Sequence, residues 1–318
     1  MAKEIVKRPK IIVVIGPTSS GKSALGVFLA QKLGGEIISA DSRQVYRGLN
    51  IGTGKVTRKE MASVPHHLLD VVSPKKVFAV SDFLTLGGQA IGKILKNGNI
   101  PIIVGGTGLY IDVLLGRMSI PEVPPNPQLR ARLEKKSSKE LFALLKVKDP
   151  ARATTIEPQN PRRLIRALEI AMFKDRQTAP VRTSGSGGAA YDILWLGLNP
   201  GEKILHKKIH TRLLARLKQG MLAEARRLHA PARLGGRGLS YKRMEALGLE
   251  YRYLACYLQN KISREEMEEQ LERAINKYAK RQMRWFKRNL DIHWVAYSAV
   301  GQPNKQKALS LAKRFLSI

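Results

Sequence analysis

The feature that most constrains the fold is a glycine-rich segment between an apolar β-branched run and a helical pattern. It reads GPTSSGKS over residues 16–23 and fits the phosphate-binding loop pattern G-x-x-x-x-G-K-[ST]. The run Ile11 to Ile15 before it is typical of a buried strand, and the apolar residues of 25–33 recur at helical spacing. A strand, loop and helix in this order point backbone N–H groups at an anion. The segment therefore predicts a phosphate site.

Two further strand patterns end in polar or glycine-rich turns. Glu36 to Ala40 ends at Asp41, and Ile100 to Val104 is followed by the glycines of GGTGLY, which contain Thr107. Short β runs that alternate with helical patterns indicate a parallel sheet covered on both faces. Ligands in such sheets bind at the carboxyl ends of the strands. We therefore expect Asp41 and Thr107 to lie near the phosphate loop.

The residue types at these strand ends suggest chemistry but do not fix one reaction. Lys22 supplies a positive charge, and the Ser23 hydroxyl can ligate Mg²⁺. Asp41 can bind Mg²⁺ through water or take a proton from a nucleophile, and it can equally cap a helix. Thr107 can donate to a phosphate or ribose oxygen. Most loops of this kind bind nucleoside triphosphates, but the diphosphate of another metabolite satisfies the same geometry.

The middle of the chain departs from the α/β pattern. Four prolines crowd into residues 121–127, charged helical patterns fill 128–180, and a Gly/Ser/Ala stretch at 183–190 predicts a flexible linker. Residues 192–198 then read as a strand that returns to the sheet. We predict an α/β fold with a P-loop NTPase-like parallel sheet core at 1–119 and 191–318, including C-terminal helices. A helical insertion domain occupies 120–190.

The charge balance indicates a polyanionic partner. The net charge is +31, of which residues 119–318 supply +22 from 40 basic and 18 acidic residues. Such a field attracts nucleic acid in a salt-dependent way. One predicted helix carries a basic stripe at helical spacing, for which we expect phosphate contact. Its residues Leu271, Ile275 and Tyr278 recur at the same spacing and can face the core. The stripe comprises Lys277, Arg281, Arg284 and Arg288.

Several classes of protein are excluded or disfavoured by composition. The single cysteine, Cys256, allows neither an internal disulfide nor a multi-cysteine zinc site. No apolar run approaches the length that crosses a bilayer, and the N-terminus does not read as a signal peptide. We therefore expect a cytoplasmic protein with no membrane partner. The pair His66-His67 lacks a nearby third ligand, which favours a structural role over metal binding.

Together these segments resemble the tRNA dimethylallyltransferases (tRNA isopentenyltransferases), in the bacterial type that lacks a C-terminal zinc finger. The matching segments follow the family's order over most of the chain. They are GPTSSGKS at 16–23, DSRQVYRGLNIGTGK at 41–55, PHHLLDVVSP at 65–74, GGTGLY at 105–110, NPRRLIRALE at 160–169 and KRQMRWFKR at 280–288.

The resemblance implies transfer of a dimethylallyl group from dimethylallyl diphosphate to N6 of the adenosine 3′ of the tRNA anticodon. It implies that Asp41 is the general base and that Thr18 and Arg212 assist at the diphosphate, with Mg²⁺ as cofactor on Ser23. The implied diphosphate loop is Gly16, Pro17, Thr18, Ser19, Ser20, Gly21, Lys22 and Ser23. The implied tRNA contacts are Asp41, Ser42, Arg43, Gln44, Thr107, Arg130, Arg162, Arg163, Leu164, Ile165, Arg166 and Lys242. The basic stripe adds Arg281 and Arg284 as expected tRNA contacts.

The chemistry of that reaction fits these residues. Cations and amides at the loop would stabilise the charge that grows on the departing diphosphate, while Asp41 accepts the amine proton. The base must leave its stack, and the insertion would clamp the anticodon stem-loop. Three alternatives stay open: transfer to free AMP, ADP or ATP, a small-molecule kinase, and a non-catalytic RNA-binding protein. A monomer suffices for the mechanism.

Overall fold

The computed structural model describes residues 8–174, 183–184, 190–231, 235–298 and 301–318. The chain forms two compact units, one made of Met1–Leu115 with Ala189–Ile318 and the other of Gly116–Gly188. The insertion predicted at 120–190 thus has boundaries a few residues later than those of the second unit. Within the described residues, no helix is both long and apolar enough to cross a bilayer.

The first unit is built on a six-stranded parallel sheet. Its strands are β1 (Lys10–Ile15), β2 (Gly35–Ala40), β3 (His66–His67), β4 (Ile100–Gly105), β7 (Asp192–Leu198) and β8 (Ile292–Val295). They lie in the order β3-β2-β4-β1-β7-β8. The register of β1 sets Ile15 opposite Gly105 of β4 and Gly197 of β7. The loops that follow β1, β2 and β4 therefore leave the sheet at one edge.

Helices cover both faces of this sheet and continue beyond it. They are α1 (Lys22–Leu33), α2 (Arg58–Met61), α3 (Val80–Lys96), α4 (Gly108–Leu114), α9 (Glu202–Lys218), α10 (Met221–His229), α11 (Tyr241–Leu247), α12 (Leu249–Leu258), α13 (Arg264–Phe286) and α14 (Lys305–Leu316).

The alternation of side chains along β1 divides the core into two layers. Ile11 and Val13 pack with residues of α3 and α4, while Ile12 and Val14 pack with residues of α1 and α14. Successive strand side chains point to opposite faces, so a strand covered on both sides must be apolar throughout. This explains why the β1 sequence is a continuous apolar run.

A third core joins α9 to α13 with the segment that follows β2. Val45, Leu49, Leu213, Leu254 and Leu271 are buried in this cluster. The cluster fixes α9 and α13 beside the carboxyl ends of the strands, because the segment at 45–49 continues directly from Asp41.

The buried carboxylate of Glu224 holds the loop that follows this segment. It accepts hydrogen bonds from the N–H groups of Asn50, Ile51 and Gly52 at 2.8–2.9 Å and from the Tyr251 hydroxyl at 2.7 Å. Glu224 is 4% exposed, so its loss would leave several polar groups without partners away from water.

We expect Glu224→Ala to lower the free energy of unfolding by about 3 kcal/mol, since unsatisfied buried groups cost about 1–3 kcal/mol each and do not add fully. Tyr251→Phe removes one of the four bonds and should cost about 1 kcal/mol. Urea denaturation of both variants measures the difference. Equal losses in the two variants would contradict the role given to the carboxylate.

The second unit contains β5 (Ile120–Pro121), α5 (Pro127–Leu133), α6 (Ser138–Lys148), α7 (Pro150–Ala153), α8 (Pro161–Lys174) and β6 (Thr183–Ser184). Its core includes Leu141, Leu145, Leu164 and Leu168. Strand β6 pairs antiparallel with β5, so the start of the stretch predicted as a flexible linker is a strand. Residues 185–189 of that stretch lie outside the described residues.

Candidate active site

The phosphate-loop segment wraps the end of β1 before α1 begins at Lys22. Gly21 precedes the helix in the left-handed region at φ 91°, a conformation that favours glycine. A Cβ at Gly16 would lie 2.8 Å from both the Leu198 carbonyl and the Ser20 hydroxyl, so the loop packs closely against β7. The local sequence thus produces the compact turn and helix N-terminus that an anion site needs.

Lys22 lies over this loop with its charge in a desolvated place. Its Nζ donates to the Pro17 carbonyl at 3.2 Å. Burial lowers the pKa of Lys22 to about 8, Asp41 acts in the opposite direction, and Arg212 lowers the pKa further. The three side chains are therefore electrostatically coupled, and the lysine has a charge state that is sensitive to pH.

Asp41 follows β2 and starts a turn. Its Oδ1 accepts the N–H of Arg43 at 2.8 Å and that of Gln44 at 3.3 Å. The capping role that the sequence left open is therefore present. Both bonds end on Oδ1, so Oδ2 is the oxygen that we expect to meet a ligand. Ser42, directly after Asp41, donates its N–H to Thr107 Oγ1 at 3.1 Å. This hydrogen bond joins the ends of β2 and β4.

Arg212 reaches the site from α9. Its Nη2 donates to the Gly54 carbonyl at 3.0 Å, and burial, together with Arg216, lowers its pKa. A Cβ at Gly54 would lie 2.3 Å from the same nitrogen, so only glycine allows this approach. The guanidinium is held at the cavity wall by the loop that Glu224 supports.

These groups line one cavity of about 580 Å³ in the first unit. Its wall carries more basic than acidic side chains, so it suits an anion. The basic residues of the wall are Lys22, Arg43, Arg212, Arg252, Arg273, Lys277 and Arg281, and the acidic ones are Asp41 and Glu250.

Helix α13 forms one side of this cavity. Tyr278, which the spacing allowed to face the core, lines the cavity, while Leu271 and Ile275 are buried as expected. Burial and then Asp41 raise the pKa of Tyr278, which keeps the phenol neutral. The 3.6-residue period of α13 places the Tyr278 side chain on the side of the helix that also carries Lys277 and Arg281.

The structure brings together many of the predicted site residues. Those that line the cavity are Thr18, Lys22, Ser23, Asp41, Ser42, Arg43, Gln44, Arg212 and Arg281. Thr107 joins them through the hydrogen bond that it accepts from the Ser42 N–H. Lys242 and Arg284 are exposed and are not among the residues that line the cavity.

Two predicted tRNA contacts in the second unit have buried side chains. Leu164 and Ile165 are 0% and 8% exposed in the core of α5 to α8, where their side chains hold that unit together, and their role at the tRNA stays a prediction. The neighbouring Arg162 and Arg163 are exposed on α8, and Arg163 lies 3.5 Å from Glu157. The helical period places the exposed arginine pair and the buried apolar pair on different faces of α8.

Two predicted arginine contacts share a buried carboxylate. Glu169, 2% exposed, accepts from Arg130 at 2.9 and 2.7 Å, from Arg166 at 2.5 Å and from the N–H of Asn126 at 2.6 Å. The two guanidinium groups are about 40% exposed and keep a face toward solvent. Their predicted role in RNA binding stays a prediction.

Sequence reasoning missed Gln282 and the position of His66 at the cavity, while it favoured a structural role for His66 and His67. Gln282 contacts the phosphate loop and lies on α13 four residues after Tyr278, a spacing that signals a shared helix face. His66 lines the cavity, whereas His67 pairs with Glu36 at 2.6 Å. No group of metal-ligating side chains large enough to hold an ion alone occurs in the described part of the chain.

A parallel sheet whose central strand ends in a GPTSSGKS loop and a helix N-terminus defines a P-loop protein. The comparisons with known proteins narrow this class. The model of the family described as "IPP transferase" matches residues 44–289, and that described as "Isopentenyl transferase" matches residues 9–74.

Relatives match over nearly the whole chain. tRNA dimethylallyltransferase 1 of Geotalea uraniireducens is 40% identical over 93% of this chain and 95% of its own length. tRNA dimethylallyltransferase 2 of Treponema denticola is 42% identical over 89% of this chain and 95% of its own. The chain belongs to the IPP transferase family, and the resemblance found in the sequence is confirmed.

Solved structures agree in fold. The full-length tRNA isopentenylpyrophosphate transferase of Bacillus halodurans is 32% identical, with a TM-score of 0.68 over 98% of this chain and 96% of its own. A eukaryotic dimethylallyltransferase acting on tRNA is 27% identical, with a TM-score of 0.78 over 97% of this chain and 80% of its own. The P-loop NTPase-like parallel core predicted from the sequence is confirmed.

Proposed function

We propose that this enzyme transfers a dimethylallyl group from dimethylallyl diphosphate to N6 of the adenosine 3′ of the anticodon in tRNA and releases diphosphate. The observation that carries the proposal is that one cavity holds Lys22, Arg212 and Asp41 at the strand ends, beside a basic wall on α13. The names of the relatives and of the solved structures support the same reaction.

The diphosphate lies at the loop of residues 16–23 in this proposal. The helix N-terminus, Lys22 and Arg212 bind its anionic oxygens and stabilise the charge that develops as the allylic C–O bond breaks. The N6 nitrogen forms the new bond to the allylic carbon, and Asp41 takes the proton that the amine loses. Because the reacting groups lie in a cavity lined by protein side chains, the adenosine must be flipped out of its stack to reach them.

Mg²⁺ fits the donor set of the cavity as an ion that shares its coordination with substrate. Ser23 and Asp41 offer a hydroxyl and a carboxylate oxygen, and Mg²⁺ in phosphate sites keeps waters and takes phosphate oxygens as further ligands. When bound, it would neutralise charge on the diphosphate. We propose Ser23 as its protein ligand, with Asp41 acting on the amine.

The experiment that tests the function is transfer of labelled dimethylallyl from its diphosphate, with Mg²⁺, to unmodified tRNA, run beside AMP, ADP and ATP as acceptors. Label in tRNA alone, mapped to the adenosine 3′ of the anticodon, is expected. Label in free nucleotide would replace tRNA with adenylate as the acceptor. Consumption of ATP without label in any acceptor would indicate a kinase. Because the mechanism uses residues of one chain, we expect activity from the monomer.

The pKa of Lys22 gives the reaction a pH dependence. The protonated lysine binds the diphosphate, and its pKa in the free enzyme is about 8. We expect kcat/KM for dimethylallyl diphosphate to be level below pH 8 and to fall about tenfold per pH unit above it. Lys22→Arg keeps the charge, so its profile should stay level between pH 8 and 10. A fall of the same size in the variant would contradict the assignment.

The basic wall of α13 predicts a specific salt dependence. Arg281 lines the cavity, is exposed and lies over the Tyr278 ring at 5.7 Å. Arg281→Gln should weaken tRNA binding and reduce the slope of log K against log salt by about 1, as loss of one phosphate contact does. Lys313 is an exposed residue of α14, so Lys313→Gln removes the same charge away from the cavity and should leave the slope unchanged. Filter binding from 50 to 300 mM salt compares the two.

A further inference from the structure

The side-chain amide of Gln282 joins two loops of the site. Its Oε1 accepts the N–H of Thr18 at 2.8 Å, and its Nε2 donates to the Gly106 carbonyl at 2.9 Å. Gln282 is 6% exposed. A buried amide with both ends paired has one favoured orientation, because a flip would place like groups against each other.

The loop after β4 is shaped to receive this amide. A Cβ at Gly106 would lie 2.2 Å from Gln282 Nε2, so the approach requires glycine. The next residue, Thr107, holds the N–H of Ser42 beside Asp41. One side chain on α13 therefore fixes the backbone of the phosphate loop at Thr18 and that of the loop that carries Thr107.

The same helix carries the basic wall of the cavity. Lys277, Tyr278 and Arg281 line the cavity from α13, in the stretch that leads up to Gln282. Further along, Trp285 Nε1 donates to Asp112 Oδ2 at 2.7 Å and attaches the helix to α4. Among the described residues of α13, Gln282 is the one that hydrogen bonds to the phosphate loop, whereas Trp285 anchors the helix to α4.

We propose that Gln282 is a positioning residue that orients the phosphate loop for the diphosphate from the helix whose basic side faces the RNA. The role rests on the function proposed above. Gln282 acts through the Thr18 peptide: with that peptide held, the loop keeps the conformation in which Thr18, Lys22 and Ser23 line the cavity. Without it, the loop must be ordered by the ligand, which costs affinity.

The first test replaces Gln282 with Met, which has similar length and no amide. We expect Q282M to bind inorganic pyrophosphate with Mg²⁺ at least tenfold more weakly than the wild type in calorimetry. The Kd for tRNA should stay within twofold, and KM for dimethylallyl diphosphate should rise more than kcat falls. Equal pyrophosphate affinity in Q282M and the wild type would overturn the proposal.

A second variant tests the two hydrogen bonds chemically. In Q282E a protonated carboxyl accepts from Thr18 and donates to Gly106, as the amide does, whereas the carboxylate faces the Gly106 carbonyl without a proton. The pyrophosphate affinity of Q282E relative to that of the wild type should therefore fall at least fivefold from the lowest to the highest pH at which both proteins stay folded. This measurement remains decisive if Q282M does not fold, and a ratio that is constant with pH would overturn the proposal.

Trp285→Phe is the matched control on the same helix. It removes the bond to Asp112 and should lower Tm while pyrophosphate affinity stays within twofold. A loss of affinity in W285F as large as that in Q282M would assign the effect to general loosening of α13 and overturn the specific role. If the wild type itself binds no pyrophosphate, the proposed function fails instead, so the two failures are distinguishable.

Discussion

Replacing Asp41 with Asn should lower kcat for dimethylallyl transfer by about 10³-fold, within the range of about 10²–10⁴ for loss of a general base. Asn keeps an Oδ1 that accepts the N–H groups of Arg43 and Gln44, so the turn after β2 is retained. What it loses is an oxygen basic enough to take the amine proton. Single-turnover transfer with enzyme-bound tRNA measures this step.

Asp41→Ala separates the two roles of the carboxylate. It removes the turn bonds as well as the base, so it should match Asp41→Asn in rate and show a lower Tm. Affinity for tRNA should stay within a few fold in both variants. If Asp41→Asn lost tRNA affinity and transfer to the same extent, Asp41 would be a binding residue and the general-base assignment would fail.

Replacing Lys22 with Met should lower kcat/KM for dimethylallyl diphosphate by about 10²–10³-fold, the usual cost of removing one group that stabilises transition-state charge. Lys22 is the cation of the phosphate loop and is coupled to Asp41 and Arg212. The low-dielectric surroundings that lower its pKa also strengthen its attraction to the diphosphate. Initial rates at saturating tRNA measure the loss.

The control for Lys22 lies on the same helix. Lys32 is exposed in the last turn of α1, so Lys32→Met removes an equal charge far from the loop and should leave the rate unchanged. Pyrophosphate binding should weaken in Lys22→Met while tRNA binding stays within twofold. A loss confined to tRNA affinity would move Lys22 from the diphosphate site to the RNA surface.

The pattern of residue types along the chain predicted those elements whose conformation depends on local sequence. The apolar run of β1, the glycines of the phosphate loop and the spacing of α1 specify their own conformations through sterics and burial. The strand ends at Asp41 and Gly105 could be placed beside the loop because parallel strands present their carboxyl ends at one edge. The family resemblance added the order of the segments, and the comparisons confirmed it.

Helix periodicity was a weaker guide to which residues meet the cavity. It placed Leu271 and Ile275 in the core correctly, but it assigned Tyr278 to the same stripe, although α13 lies between the third core and the cavity. The same limit applies to Leu164 and Ile165, which share the NPRRLIRALE segment with exposed arginines yet are buried. A motif gives residue type and order, and packing decides which side of the helix is free.

The class of fold, the phosphate loop and a charge that suits a polyanion could be predicted, because each follows from residue type and short-range spacing. The meeting of distant groups could not be predicted in this way: Arg212 meets Gly54, Glu224 meets the 50–52 loop, and Gln282 lies between two strand ends. Such contacts join residues more than 150 positions apart in the chain. They form only when the folded core fixes the elements that carry them, because no local preference links residues at that separation.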